Sequence, residues 1–467
     1  MSGTVVVEPA AATTTRRAEA RARLALGVAS GAAFLAILDA TVANLAVADL
    51  HRDFPGVAVG DLSWVVTIYA IAFAALLAPG GRIADVVGRR TLLMAGAATF
   101  TLMSLVAAVA PSLGVLLAAR FVQGAGAATM IPASLAVVLA DTPPERRAAA
   151  IGAWSGAGAL AAAAGPALGG VLVDVAGWRS VFFINLPAGL ALVVGARLLA
   201  RPGIRPQVEP PDALGTAALA VGVGLAALGV SRGAEWGWGD PRTLAALAAG
   251  LLAVGACLGR SRTHAAPAVE VSLWRSGAFA RANVGSLLYG GSLFALLLVG
   301  VLFTTQVWGY SPLQAGFAVT PGAIAAAAVA VSVGPVVQRR GPWPVAVAGL
   351  LLLAADCAVV AVAIDDDPAF WTLWLPTGLV LGAAMGAITT ALSAAAALSV
   401  APDRFAAGVG LNQAARAVGG ALGVAALSTI LLDADPHAAG SYRAVYFMCA
   451  ILLVAAAAAT VGKGARR

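Results

Sequence analysis

The sequence predicts an all-α polytopic membrane protein of the following plan: two six-helix halves plus two extra central helices, 14 transmembrane helices in all. Three observations predict it. The chain of 467 residues is 60% hydrophobic and 11% charged, with a mean hydropathy of +0.91, whereas ordinary soluble domains carry about 25% charged residues. Apolar runs long enough to cross a bilayer recur between short breaks. Two loop sequences repeat at nearly equal offsets. The net charge of +7 lies in short arginine clusters between apolar runs, not in one basic domain, so it does not point to nucleic acid. Cys257, Cys357 and Cys449 all fall inside apolar runs, odd in number and widely spaced, so no disulfide or metal framework follows.

The first element begins after RRAEARAR (16–23) and runs apolar to about Leu50. A signal-peptide core is about 7–15 residues, so this longer run reads as an uncleaved first helix. A span needs about 20 apolar residues. Candidate spans are 24–48, 62–80, 91–110, 113–138, 148–172, 180–199, 213–230, 242–259, 282–306, 313–336, 344–364, 370–396, 405–431 and 443–462. The seventh and eighth are the weakest. With the N-terminus placed in the cytoplasm, cytoplasmic segments hold 22 basic residues and external segments 5; Arg120 and Arg416 fall within spans. Losing one helix would invert every later loop and spoil this asymmetry. Both termini are therefore expected in the cytoplasm.

The loop GRIADVVGRR (81–90) is echoed by GPVVQRRG (334–341), and PERRAAAIG (144–152) by PDRFAAGVG (402–410), at offsets of 253 and 258. Matching loops at matching offsets imply two homologous halves, a parallel repeat of a kind found in transporters. The expected organisation is a tail at 1–23, a first half at 24–200, two extra helices with their loops at 201–260, a linker at 261–281, a second half at 282–462 and a tail at 463–467.

Five motifs then resemble one family. GGRIADVVGRR (80–90) follows the second span; its glycines allow a tight turn and close helix packing. The run resembles the loop signature of the major facilitator superfamily, with Ile83 for the usual leucine and Val86 where a basic residue is common. Gly81, Asp85, Gly88, Arg89 and Arg90 carry the match. Asp85 is suited to pair with an arginine or cap a helix N-terminus; the resemblance implies that it latches the halves in the outward-open state. RFVQGAGAA (120–128) is similar to the family's fourth-helix signature, matched at Arg120, Gln123, Gly124 and Gly126; the resemblance links the arginine to proton transfer. AAAAGPALGG (161–170) looks like the signature of drug/proton antiporters, through Gly165, Pro166, Gly169 and Gly170, with Ala161 replacing its leading glycine. WRSVFFINLPAG (178–189) and LDATVANLA (38–46) resemble the sixth-helix and first-helix signatures of the fourteen-helix drug-efflux subfamily. In the second half, NQAARAVGGALGVA (412–425) looks like its thirteenth helix.

The charges inside spans mark the candidate site. Counting 1.5 Å per residue, Asp39 lies about 22 Å from the inner face and Arg120 about 10 Å from the outer one. In a core of about 30 Å the two share a depth. Burying either alone costs about 2.5–3.5 kcal/mol on insertion scales. They form a candidate proton-coupling pair. A static structural pair, and an Asp39 that contacts a cationic substrate, are the alternatives. Asp356 in the eleventh span reads as bundle-facing and structural. Candidate cavity residues are Asn44, Gln123, Trp154, Tyr289, Asn412, Gln413 and Arg416; Asn44 is also placed to make a helix–helix hydrogen bond. There is no phosphate-binding loop, and His51, His264 and His437 are too scattered for a metal site or a catalytic triad. The expectation is a non-enzymatic proton-coupled exporter of small amphipathic compounds, with no cofactor and a proton gradient as energy source. Its partners are substrate, protons and the lipid bilayer; it acts as a monomer in a bacterial plasma membrane. A nutrient symporter on the same fold and a non-transporting receptor are the competing readings.

Overall fold

The computed structural model describes residues 10–54, 56–57, 59–199, 211–432 and 434–461. Among them are fourteen long helices and no strand. They are α1 (Ala10–Asp53), α2 (Trp64–Val87), α3 (Arg89–Ala108), α4 (Leu113–Asp141), α5 (Arg147–Ala176), α6 (Asn185–Leu199), α7 (Ala213–Trp236), α8 (Pro241–Ser261), α9 (Gly277–Gln306), α10 (Pro312–Arg340), α11 (Pro342–Ala363), α12 (Leu375–Leu398), α13 (Phe405–Ile430) and α14 (Ala439–Thr460). Short helical turns at Ser180–Phe183 and Phe370–Trp374 extend α6 and α12. The proximal end of the bundle is where α1 starts and α14 stops; the other is the distal end.

Among the described residues thirteen helices are long and apolar enough to cross a membrane, α13 being the long helix left out. Asn412, Gln413 and Arg416 lower its hydropathy, and neighbouring helices rather than lipid cover much of it: Asn412, Arg416, Gly419, Gly420 and Gly423 are buried. The first helix starts earlier than the apolar pattern indicates, at Ala10 instead of 24. Alanine, arginine and glutamate are good helix formers, and Arg21 holds the added turns by donating to the Leu199 carbonyl and approaching Asp141 at 3.6 Å. Similarly, α9 starts at Gly277, where Ser276 accepts a hydrogen bond from the Phe279 amide as N-cap. The expected tail at 463–467 lies outside the described residues.

Packing repeats with a shift of eight helices. In the first half α1 packs on α4, α5 and α6, α4 on α2 and α3, and α3 on α6; in the second, α9 packs on α12, α13 and α14, α12 on α10 and α11, and α11 on α14. The halves meet through α2 on α13 and α5 on α10, two contacts that the same shift exchanges. Small residues make these approaches possible. A methyl on Gly410 of α13 would sit 2.6 Å from the Leu77 carbonyl oxygen of α2, and one on Gly334 of α10 would sit 2.6 Å from Ala149 Cα of α5. The weak seventh and eighth spans form a hairpin, α7 on α8, closed by Gly222 and Gly250, and α7 leans on α2 and α13.

Candidate functional site: a buried ion pair and a closed proximal gate

In the first half Asp39 (α1) and Arg120 (α4) are in direct contact, Arg120 Nη1 donating to Asp39 Oδ2 at 2.6 Å, and both side chains are inaccessible to solvent. The rest of the pocket is polar as well. Gln123, one helical turn after Arg120, donates to Asp39 Oδ1 at 3.0 Å and to Ser104 Oγ at 2.7 Å, while its own oxygen accepts from Arg120 at 2.7 Å. Asn185, the first residue of α6, donates to Asp39 Oδ1 at 2.7 Å. Arg120 Nε donates to the Val65 carbonyl at 3.0 Å, and its guanidinium lies 4.2 Å from the Tyr69 ring centre. Tyr69 in turn donates to the Ala36 carbonyl of α1. Five helices, α1, α2, α3, α4 and α6, thus converge on the ion pair and the polar groups around it.

This arrangement places Gln123 inside the ion-pair cluster rather than on an open cavity wall, a correction to its sequence assignment. The spacing carried a signal for it, since i and i+3 share a helix face. Ser104 and Asn185 were not anticipated; nothing local relates them to Asp39. Charges buried in this way persist only when paired and hydrogen-bonded, and both Asp39 oxygens accept.

The gate loop lies at the proximal end. Gly88, at φ +109°, makes the turn between α2 and α3. Asp85 accepts from Arg89 Nε at 2.8 Å and from the Ala407 and Ala406 amides, at 2.8 and 3.3 Å, at the start of α13. It therefore does both things its type allows: it pairs with an arginine and it meets a helix N-terminus, where free amides and the helix dipole favour a negative charge. Arg89 also donates to the Pro402 carbonyl. Arg90 pairs with Asp141 at 2.6 Å. On the symmetry-related side the Gln338 side chain accepts from the Ala148 amide at 3.2 Å. A methyl on Gly81 would collide with the Ala406 carbonyl oxygen.

One gate element escaped sequence reasoning. Glu270, in the segment between α8 and α9, is buried and lies between Arg82 of α2, at 2.8 Å, and Arg404 ahead of α13, at 2.9 Å. Arg82 also donates to the Pro267 carbonyl. The linker thus supplies an ionic bridge between the halves where Val86 offers none. The hydrogen bonds and ion pairs described between the halves all lie at this proximal end.

The glycines of the antiporter-like motif face α1. A methyl on Gly165 would collide with the Thr41 side chain, and one on Gly169 would lie 2.9 Å from Val42 Cγ1; Gly170 has open space. The Pro166 side chain lies outside the described residues. Among the cavity candidates, Asn44 is exposed and donates to the Ala40 carbonyl of its own helix at 3.0 Å, so the expected helix–helix bond is not made. Trp154 is buried and donates to Ser134 at 3.1 Å. Tyr289 is buried, its hydroxyl between the Met385 carbonyl and Thr389. Asn412 donates to Ser286 at 2.8 Å, and Arg416 Nη2 to Ser393 at 3.1 Å. Gln413 is half-buried with its oxygen unpartnered. These four second-half residues lie on α9 and α13, and Tyr289 and Arg416 bond Thr389 and Ser393 of α12. Asp356 is buried on α11, with Oδ2 unpartnered. Among the described residues no cluster of metal-ligating side chains occurs, and the three cysteines are buried and free.

On the distal face Asp53 caps a loop. Trp178 Nε1 donates to it at 2.9 Å, and Arg179 also bonds it. The hydrogen bond from Arg179, then that from Trp178, hold its carboxyl below the ordinary value.

Comparison with known proteins agrees with this architecture. The chain is 33% identical over 420 residues to the probable actinorhodin transporter of Streptomyces coelicolor, covering 88% of this chain and 72% of that one. It is 34% identical over 421 residues to the cephamycin export protein CmcT of Amycolatopsis lactamdurans, covering 88% and 85%. The crystal structure of the human organic anion transporter MFSD10 (TETRAN) superposes with a TM-score of 0.64 at 16% identity, covering 92% of this chain and 99% of that one, a likeness of fold. The family model for the Major Facilitator Superfamily matches residues 29–424 and 282–463. With two packed halves related by a shift of eight helices and a matching family model, the chain belongs to the major facilitator superfamily of transporters.

Proposed function

We propose that the chain is a fourteen-helix proton-coupled antiporter that exports small amphipathic compounds, antibiotics or secondary metabolites, by alternating access. It sits in the bacterial plasma membrane as a monomer, with the proximal end cytoplasmic. The observation that carries the reading is the sealed Asp39–Arg120 pair, held by Gln123 and Asn185 and shut off from water while the proximal gate is closed. Relatives named as export proteins, one for cephamycin and one for tetracenomycin C, support the export direction.

The coupling follows from the geometry. A proton reaching Asp39 from the distal side neutralises the carboxylate and ends its charge pairing with Arg120. The guanidinium keeps the Val65 carbonyl and Gln123 as acceptors, so α4 is freed from α1 without leaving Arg120 bare. Because Gly165 and Gly169 pack against Thr41 and Val42, the α1 segment carrying Asp39 also touches α5. Rearrangement at Asp39 therefore reaches the α5–α10 contact between the halves. Opening of the proximal end admits substrate and lets Asp39 release its proton to the cytoplasm. Recovery of the ion pair then favours the proximally closed state, and substrate leaves at the distal side.

The test is transport by reconstituted protein under an imposed pH gradient. Asp39→Asn removes the ionisable group with little change in shape. Gradient-driven export falls to background, while substrate exchange without a gradient persists. Undiminished gradient-driven export by Asp39→Asn overturns the coupling, and uptake alongside protons identifies a symporter.

A further inference from the structure

We infer that Arg416 is an anion-recognition site of the transport pathway, so that the preferred cargo carries a carboxylate or an acidic phenol on an aromatic body. The inference rests on the exporter reading and names its substrate class.

Arg416 is a buried second-half cation that has no counter-charge among the described residues. It lies eleven residues into α13, about 16 Å along the axis, near the middle of a core about 30 Å thick. It is 8% exposed. Among the described residues no carboxylate pairs with it: its side-chain hydrogen bond is to the neutral Ser393 hydroxyl, and its Nε is buried without a partner. Asp39 is taken by Arg120, and Asp356 sits on α11, which packs on α12 and α14. An acid such as Asp356 can neutralise itself by binding a proton. A guanidinium cannot shed one in a protein. An intramembrane cation without a counter-charge marks a ligand path or a partner.

The surroundings select the ligand's chemistry. The Tyr289 ring lies 5.8 Å from the guanidinium carbon, and its hydroxyl shares a hydrogen bond with Thr389 at 3.0 Å. Gln413, nearly one turn before Arg416, has an unpartnered side-chain oxygen; Gln413 and Thr389 are both half-buried, so the site borders accessible space. A planar guanidinium with unused donors matches a carboxylate fork, and the free Gln413 oxygen can accept from a hydroxyl elsewhere on the same ligand. A cationic cargo would meet Arg416 as a like charge at short range in a medium of low dielectric. The first half offers no equivalent, because Arg120 is already spent on Asp39. The sequence expectation of a small amphipathic cargo thus narrows to an aromatic acid.

The experiment compares fluorescein, an aromatic carboxylate, with the cation ethidium. In proteoliposomes Arg416→Gln lowers the ratio of fluorescein to ethidium export at least tenfold, and Arg416→Lys lowers it less. Asp39→Asn abolishes gradient-driven export of both, which separates loss of coupling from loss of recognition. A proportional fall in both probes under Arg416→Gln, or an unchanged ratio, overturns the inference. Binding is measured independently of transport, by fluorescein polarisation on purified protein: saturable in the wild type and lost in Arg416→Gln. Absence of saturable binding in the wild type overturns the inference even where export is proton-driven. Displacement of fluorescein by phosphatidylglycerol added to the micelles assigns the site to a lipid headgroup, and overturns it too.

Discussion

At Asp39 a single proton would have leverage because three N–H donors from three side chains converge on two buried oxygens. Removing Arg120 should therefore be costly: Arg120→Leu strands a buried carboxylate, and breaking such a pair costs about 3–5 kcal/mol, read as a lowered Tm of the purified protein. Combining it with Asp39→Asn should recover much of that loss without restoring transport. Gln123→Ala should cost less, about 1–3 kcal/mol for unsatisfied partners. The pairing of Asp39 with Arg120 was legible in the sequence because depth along a helix is a matter of counting. Its remaining ligands were not. Asn185 reaches it only once α6 packs on α1 and α3, and Ser104 of α3 bonds Gln123 and Asn185 rather than the carboxylate, a tertiary arrangement with no local trace. A second residue-scale expectation concerns Asp53. Its carboxyl is held below the ordinary value of 3.8 by Arg179 and Trp178. A depressed carboxyl contributes stability above its unfolded pKa and loses it as pH falls through the folded one. Asp53→Asn should hence lower Tm by the same small amount at pH 7 and pH 5, the difference vanishing only below the ordinary carboxylate range. The contacts of Asp53 with Arg179 and Trp178 would thus persist in a mildly acidic medium.

At the scale of elements the gate depends on helix ends and backbone approach. The start of α13 offers free amides, and Asp85 occupies them; the motif made this readable because an acidic residue among arginines needs a partner. Glu270 was invisible for the opposite reason. It is separated from Arg82 by almost two hundred residues, in a loop without a recognisable pattern, and becomes part of the gate only because the α7–α8 hairpin leans on α2 and α13. The extra helices therefore do more than lengthen the chain: they bring an acidic residue to the seam between the halves. Glu270→Gln should keep the fold and loosen the proximal end. With spin labels at Arg146 and Arg339, both exposed, the variant should gain a longer-distance population. An unchanged distance distribution would assign Glu270 to local structure alone.

For the whole molecule, the fold repeats and the chemistry does not. The packing of the halves is related by a shift of eight helices, yet the first half encloses a matched ion pair and the second an unmatched cation. Symmetry sets the seam through α2–α13 and α5–α10, while in the proposed function asymmetry would separate proton handling from cargo recognition. The repeat was legible because loops keep glycines and arginines at fixed offsets, whereas α13 fell below the hydropathy of a lipid-facing span because protein covers its polar face. If the seam rocks, fixing one symmetry-related contact must stop the cycle although it touches neither charge site. Arg146, just ahead of α5, and Arg339, near the end of α10, are exposed beside this contact, and the native cysteines are buried and free. A reducible bis-thiol reagent bridging Arg146→Cys and Arg339→Cys should tie α5 to α10 without inserting a side chain into the close Gly334–Ala149 approach. Export should stop on crosslinking and return on reductive cleavage. Full export by the crosslinked protein would show that the proximal seam does not open during transport, and would remove alternating access at this interface.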